Sequence, residues 1–157
     1  MKNIIAITIL LLLTISYSCD FGNKLEKDEN ELIENYLNSI GDTVYTKTAS
    51  GLYYLTISEG DGRTPVIGDT VFMWYKGKML SGQLFDTNID QAEPFGFIVG
   101  SGSVISGLDE GVKLMKDGGK AKFITPSSLA YGPAGLYGYN SYGYYQVIIP
   151  GYTPLVW

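Results

Sequence analysis

An α+β fold built on one short helix is predicted by three observations. Apolar residues fall at Ile105, Leu108, Val112 and Met115, a spacing that lays a single stripe along a helix. Around that run the period changes to alternation, with Leu52, Tyr54 and Thr56 opposed to Tyr53, Leu55 and Ile57, as half-buried strands require. The length of 157 residues suits one small core once an N-terminal leader is set aside.

The leader comes first. Lys2 precedes an apolar run from Ile4 to Ile15, too short to span a bilayer and typical of the central region of a signal peptide. Ser16-Tyr17-Ser18-Cys19 follows, placing the only cysteine where a bacterial lipoprotein carries its acylated residue. Residues 1–18 are therefore assigned to a signal peptide and residues 19–49 to a lipid-anchored linker. The alternatives are ordinary cleavage after Ser18 or an idle thiol. Within the linker, the stretch from Glu29 to Ile40 reads as an amphipathic helix, with Asp28 as its cap, Glu29 and Glu31 in its first turn, and Gly41 as its stop. It is read as a strut lying on the domain. A helix that pairs two molecules or holds a partner is the alternative, so the oligomeric state stays open.

From residue 50 onward the strands begin. Thr70 to Tyr75 repeats the alternation of Leu52 to Ile57, Phe95 to Val99 and Lys120 to Thr125 are two more candidates, and Leu155 to Trp157 opens a last one. The helix from Ile105 is expected to run to Gly118-Gly119, which end it. Gly107 and Gly111 leave small surfaces on that helix, a cost accepted where another group comes close.

Composition narrows the chemistry. The chain has no histidine and one cysteine, which excludes Ser-His-Asp and Cys-His catalysis, the usual zinc sites and an intramolecular disulfide. Its acids lack calcium-loop spacing, and Gly100-Ser101-Gly102 lacks the third glycine of a phosphate cradle. No cofactor or metal is expected. The net charge is −5, and cleavage before Cys19 removes one lysine and no acid, so nucleic acid is not an expected partner. Attachment to a membrane would rest on the acyl chain and not on a basic patch.

Tyr75-Lys76-Gly77, Leu84-Phe85-Asp86-Thr87, Pro94-Phe95 with Phe97, the helix from Ile105, Pro126, Ala130-Tyr131-Gly132 and Ile148-Ile149-Pro150 follow one another in this order. Upstream, Glu59 to Thr64 leads to Gly68-Asp69. In order and spacing this resembles the FKBP family of peptidyl-prolyl cis-trans isomerases, over residues 50–157. The resemblance implies a bent antiparallel sheet wrapping the short helix, and proline-containing polypeptides as substrates. It implies a pocket walled by Tyr75, Phe85, Phe95, Val104, Ile105, Leu108, Tyr131 and Trp157. Asp86 would sit near the substrate carbonyl and be oriented by Tyr75, while Tyr131 and the amide of Ile105 would donate hydrogen bonds to the peptide.

Three departures from the family pattern are visible. Leu108 stands where the pocket floor often carries Trp. Between Gly135 and Ile148 the chain is longer and richer in tyrosine than usual, a loop that either extends the substrate site toward peptides or glycans or folds onto its own glycines. The final strand opens at Leu155 and the sequence ends at Trp157, so the expectation is either a truncated sequence or a destabilised 50–157 domain, tested by adding a β-forming segment. These features leave a second reading open, a non-catalytic peptide- or glycan-binding chaperone or adhesion lipoprotein on the same fold.

Overall fold

The computed structural model describes residue 25 and residues 27–41 and 44–157. The leader and Cys19 lie outside the described residues. Among the described residues, 27–40 form a helix, α1, and ten strands, one further α-helix and a 3₁₀ turn follow. A six-stranded sheet runs in the order β1-β2-β7-β10-β4-β5, and every neighbouring pair in it is antiparallel. Its strands are β1 (Thr46–Lys47), β2 (Tyr53–Ser58), β4 (Lys76–Met79), β5 (Leu84–Thr87), β7 (Lys120–Thr125) and β10 (Leu155–Val156). β3 (Thr70–Met73) pairs with β6 (Phe95–Ile98), and β8 (Leu136–Tyr139) with β9 (Tyr145–Ile149).

The alternation of β2 and β7 sorts their side chains to two faces, as the period of two demands. On the inner face Leu52 and Phe123 pack with Leu108 of helix α2 (Ser106–Val112), while Tyr54 stacks on Phe123 at 5.5 Å. On the outer face Tyr53, Ile124 and Val156 receive Ile33 of α1, which is fully buried. Burying one such isoleucine contributes about 1.5–3 kcal/mol. The sheet is thus covered on both sides, by α2 within and by α1 without.

Helix α2 is shorter than its apolar stripe predicts. It ends at Val112, and turns joined by Leu114 N–H to Gly111 and Met115 N–H to Val112 carry the stripe one step further. The chain leaves the helical path because Asp117 is held from another direction: its carbonyl accepts from Gly62 N–H and its own N–H donates to Arg63. The helix glycines answer to β7. A Cβ on Gly107 would stand 2.2 Å from Thr125 Cγ2, and one on Gly111 would stand 2.8 Å from the Phe123 ring. Only glycine lets α2 approach the sheet this closely.

Two strand pairs go beyond the alternation read from sequence. β4 and β5 hide behind Lys76-Gly77-Lys78, where a glycine between two lysines gives no apolar alternation. β8 and β9 occupy the tyrosine-rich stretch, closed by a turn in which Gly143 adopts φ 78° and Asn140 Oδ1 accepts from the N–H groups of Tyr142 and Tyr144.

Candidate active site

Tyr75 sits between β3 and β4, and its backbone is clamped from β5 onward. Asn88, itself buried, accepts from Tyr75 N–H at 2.8 Å and donates through Nδ2 to the carbonyl of Met73 at 2.9 Å. Thr87 Oγ1 donates to the Tyr75 carbonyl at 2.8 Å. The phenol is thereby aimed at β5, where its hydroxyl donates to Asp86 Oδ2 at 2.7 Å. Burial and then the Asp86 carboxylate push the Tyr75 hydroxyl up to about 12, so it remains a neutral donor throughout the physiological range.

β5 alternates, turning Phe85 inward and leaving Asp86 at the surface beside Tyr75. Phe85 meets Trp157 edge to face at 5.4 Å, and Trp157 in turn lies 5.8 Å from Tyr75. Tyr75 also meets Phe95 edge-on at 5.7 Å, and Phe95 stacks on Phe97 at 6.0 Å. Gly77 makes this box possible. A Cβ there would stand 2.7 Å from Phe85 Cζ and 2.9 Å from Trp157 Cζ3.

The floor is shared. Leu108 is buried with Leu52 and Phe123, and Val104, Ile105 and Trp157 pack against the same cluster. An indole therefore reaches the floor from β10, although position 108 carries leucine. Among the described residues Trp157 Nε1 is buried without a hydrogen-bond partner. Ile105 occupies the N-cap position of α2, where its carbonyl accepts from Leu108 and Asp109. Its own N–H precedes the first helical residue, outside the pattern of intrahelical bonds.

Tyr131 follows a 3₁₀ turn, Ser127–Leu129, and is half-buried. Burial, and then the charge of Asp86, raise its hydroxyl above the ordinary tyrosine value. Asp86 thus acts on two phenols, Tyr75 by a direct hydrogen bond and Tyr131 through space. The turn is fixed from afar: the carboxylate of Glu29 on α1, itself 5% exposed, accepts from both Ser127 N–H and Ser127 Oγ. Ser127 then accepts through its carbonyl from Ala130 and Gly132, either side of Tyr131.

The nine positions that the family resemblance assigned to a pocket lie around one aromatic box. Tyr75, Phe85, Phe95 and Trp157 form its ring contacts, Val104, Ile105 and Leu108 its floor, and Asp86 and Tyr131 its polar rim. Sequence reasoning missed Gly77, Asn88, Glu29 and Ser127. A glycine between two lysines beside a Tyr motif was a signal for the first; the Glu29–Ser127 pair, 98 residues apart, gave none. Among the described residues no group of three His, Cys, Asp or Glu could hold a metal ion, and no helix is long and apolar enough to cross a membrane.

The fold is thus an antiparallel sheet packed on a short helix, with an aromatic box and a Tyr–Asp pair at its edge. Residues 61–157 match the profile of the FKBP-type peptidyl-prolyl cis-trans isomerases, and the chain belongs to that family. It is 40% identical over 119 residues to FkpA of Escherichia coli K12, covering 73% of this chain and 43% of that protein. It is 46% identical over 89 residues to the chloroplastic FKBP16-3 of Arabidopsis thaliana, covering 57% of this chain and 40% of that one. The chain therefore spans about two fifths of the length of these relatives. The crystal structure of E. coli FkpA superposes with a TM-score of 0.67 at 31% identity, over 95% of this chain and 66% of that one. AtFKBP13 does so with a TM-score of 0.61 at 30% identity, over 71% and 91%.

Proposed function

We propose that this chain catalyses peptidyl-prolyl cis-trans isomerisation of proteins outside the cytoplasm. The reading is carried by the 2.7 Å hydrogen bond from Tyr75 to Asp86 at the edge of an otherwise apolar aromatic box. Rotation about an X-Pro amide needs no nucleophile and no cofactor, only removal of part of a barrier of about 18–20 kcal/mol that resonance sets. The twisted amide has lost its charge separation. Walls of Phe85, Phe95, Leu108 and Trp157 stabilise it relative to the planar form, which is better solvated by water.

The rim supplies direction. Asp86, oriented by the Tyr75 hydroxyl, faces the substrate carbonyl, and Tyr131 and the Ile105 amide donate to the peptide, holding one side of the bond while the other turns. Both phenols stay protonated because burial and Asp86 raise them. At a turnover of about 10–1000 per second the box would remove roughly 4–7 kcal/mol from the barrier.

The leader and Cys19 support an exported protein held to a membrane of the cell envelope by an acyl chain on Cys19. Mass spectrometry of protein expressed with its leader would find the lipid on Cys19, and Cys19→Ser would leave the membrane fraction. For the activity, isomerisation of a short X-Pro peptide is measured with the mature chain and with Asp86→Ala and Tyr131→Phe. A loss of about ten- to a hundredfold in kcat/KM for Asp86→Ala is expected, corresponding to 1.4–2.8 kcal/mol of transition-state stabilisation. A folded but inactive parent chain would overturn the enzyme reading in favour of a non-catalytic binding module.

A further inference from the structure

The β8–β9 hairpin carries five tyrosines and no charged residue between Leu136 and Ile149. Its register sets Tyr137 opposite Val147 and Tyr139 opposite Tyr145, so these four side chains share one face. The rings of Tyr137 and Tyr145 stack with centroids 5.5 Å apart and planes 6° from parallel, and Tyr139 meets Tyr145 edge-on at 5.5 Å. All four are exposed, Tyr139 at 74%. The other face holds Gly138, whose missing Cβ leaves room for Ile148 Cδ1 at 2.6 Å. Ile149, fully buried, anchors the second strand in the domain.

The feet of the hairpin are tied to the segment that delivers Tyr131. Gly135 N–H donates to the Tyr131 carbonyl at 3.1 Å and Tyr152 N–H to the Gly132 carbonyl at 3.0 Å. The tyrosine face is therefore continuous in the chain with the rim of the candidate pocket. Rings locked against one another and left in solvent are preorganised contact area, an unusual use of aromatic surface unless something covers it.

We propose that this face is a second binding surface for the extended, proline-containing stretch of the same polypeptide whose X-Pro bond enters the pocket, an inference that rests on the isomerase reading. The 5.5 Å ring spacing approximates the roughly 6 Å that two residues of polyproline II advance, and that conformation leaves its carbonyls free for phenol donors. A partner chosen by charge is not suited to a hairpin with no charges. A glycan is less well matched, because the face lacks carboxylate or amide side chains: Gln146 lies on the opposite face and the Asn140 side chain is bound into the turn.

The test is fluorescence anisotropy of a labelled peptide of about twelve residues, with one central Ala-Pro bond and flanking prolines, titrated with the full mature chain. Replacing Tyr137, Tyr139 and Tyr145 together by Ser is expected to raise its Kd by about tenfold or more, because all three rings of the contact face are lost. Replacing all three by Phe should retain most of the binding. Turnover of a four-residue X-Pro peptide should stay within about twofold in both, because that substrate is too short to leave the pocket. If the triple Ser variant does not fold, Tyr139→Ser alone is read in its place. Unchanged peptide affinity in a folded Ser variant overturns the proposal, as does binding of a β-linked hexasaccharide that the Ser variant loses while peptide binding persists. Affinity is measured independently of turnover, so an inactive parent chain would overturn the isomerase reading alone.

Discussion

The β4–β5 wall and the β8–β9 hairpin use the same chemistry to opposite ends. In the wall, Tyr75, Phe85, Phe95 and Trp157 touch one another and are backed by Gly77, Leu108 and the sheet, so each ring is held by several neighbours. In the hairpin, Tyr137, Tyr139 and Tyr145 touch one another and are otherwise turned to solvent. Aromatic clustering alone therefore does not mark a core. What separates the two is the layer behind: the wall closes on α2 and the six-stranded sheet, whereas the hairpin is a two-stranded ribbon, which supplies no second layer.

The contrast is sharpest in stability. Trp157→Ala removes the ring that joins the wall to the floor and is expected to cost about 3–5 kcal/mol, as large aromatic truncations in a packed region do. Tyr139→Ser on the hairpin should change stability by no more than about 0.5 kcal/mol. Urea denaturation of the two variants side by side gives both numbers. Equal losses would mean that the hairpin is packed as the wall is.

A smaller effect is expected where the pocket rim depends on α1. Glu29→Ala leaves Ser127 N–H and Oγ without their acceptor in a buried place, at a cost of about 1–3 kcal/mol. Because Ser127 also holds the Ala130 and Gly132 amides, the loss should include kcat for the short X-Pro peptide and not only melting temperature. Glu29→Gln, which keeps one acceptor, should recover part of both. An activity per folded molecule that Glu29→Ala leaves unchanged would make this link purely structural.

Much of this arrangement was legible in the sequence and some could not be. The stripe Ile105-Leu108-Val112-Met115 gave α2, because helical period survives a short element, but its early end at Val112 is decided by the 60–63 segment that holds Asp117, a distant partner that no local pattern records. The family resemblance of Tyr75, Phe85-Asp86 and Ala130-Tyr131-Gly132 singled out residues that the fold sets near one another, Tyr75 bonded to Asp86 and Tyr131 within reach of its charge. β4 escaped because Lys76-Gly77-Lys78 alternates nothing apolar, although its glycine is what lets Phe85 and Trp157 meet. The hairpin escaped because glycine and tyrosine together read as loop, and both of its strands show mostly exposed residues. Leu108 predicted a floor without an indole. The family resemblance already named Trp157 as a pocket wall; what the fold adds is that this indole packs against the same cluster as Leu108.

The smallest expected effect is that of pH, and it separates a positioning site from a proton-transfer site. The chain has no histidine, so no group of ordinary pKa near 6.5 is present to titrate in the pocket. Tyr75 is raised from 10 to about 12, by burial first and Asp86 second, so its neutral form is the one the fold favours. The stability it contributes is present in full below pH 10 and is lost as pH rises toward about 12, where a phenolate would stand beside the Asp86 carboxylate. Tyr131 shifts in the same direction. The value of kcat/KM for a short X-Pro peptide should therefore stay within about twofold from pH 6 to 9. A bell-shaped profile centred near neutrality would show that a titrating acid or base, and not an orienting Tyr–Asp pair, governs the reaction.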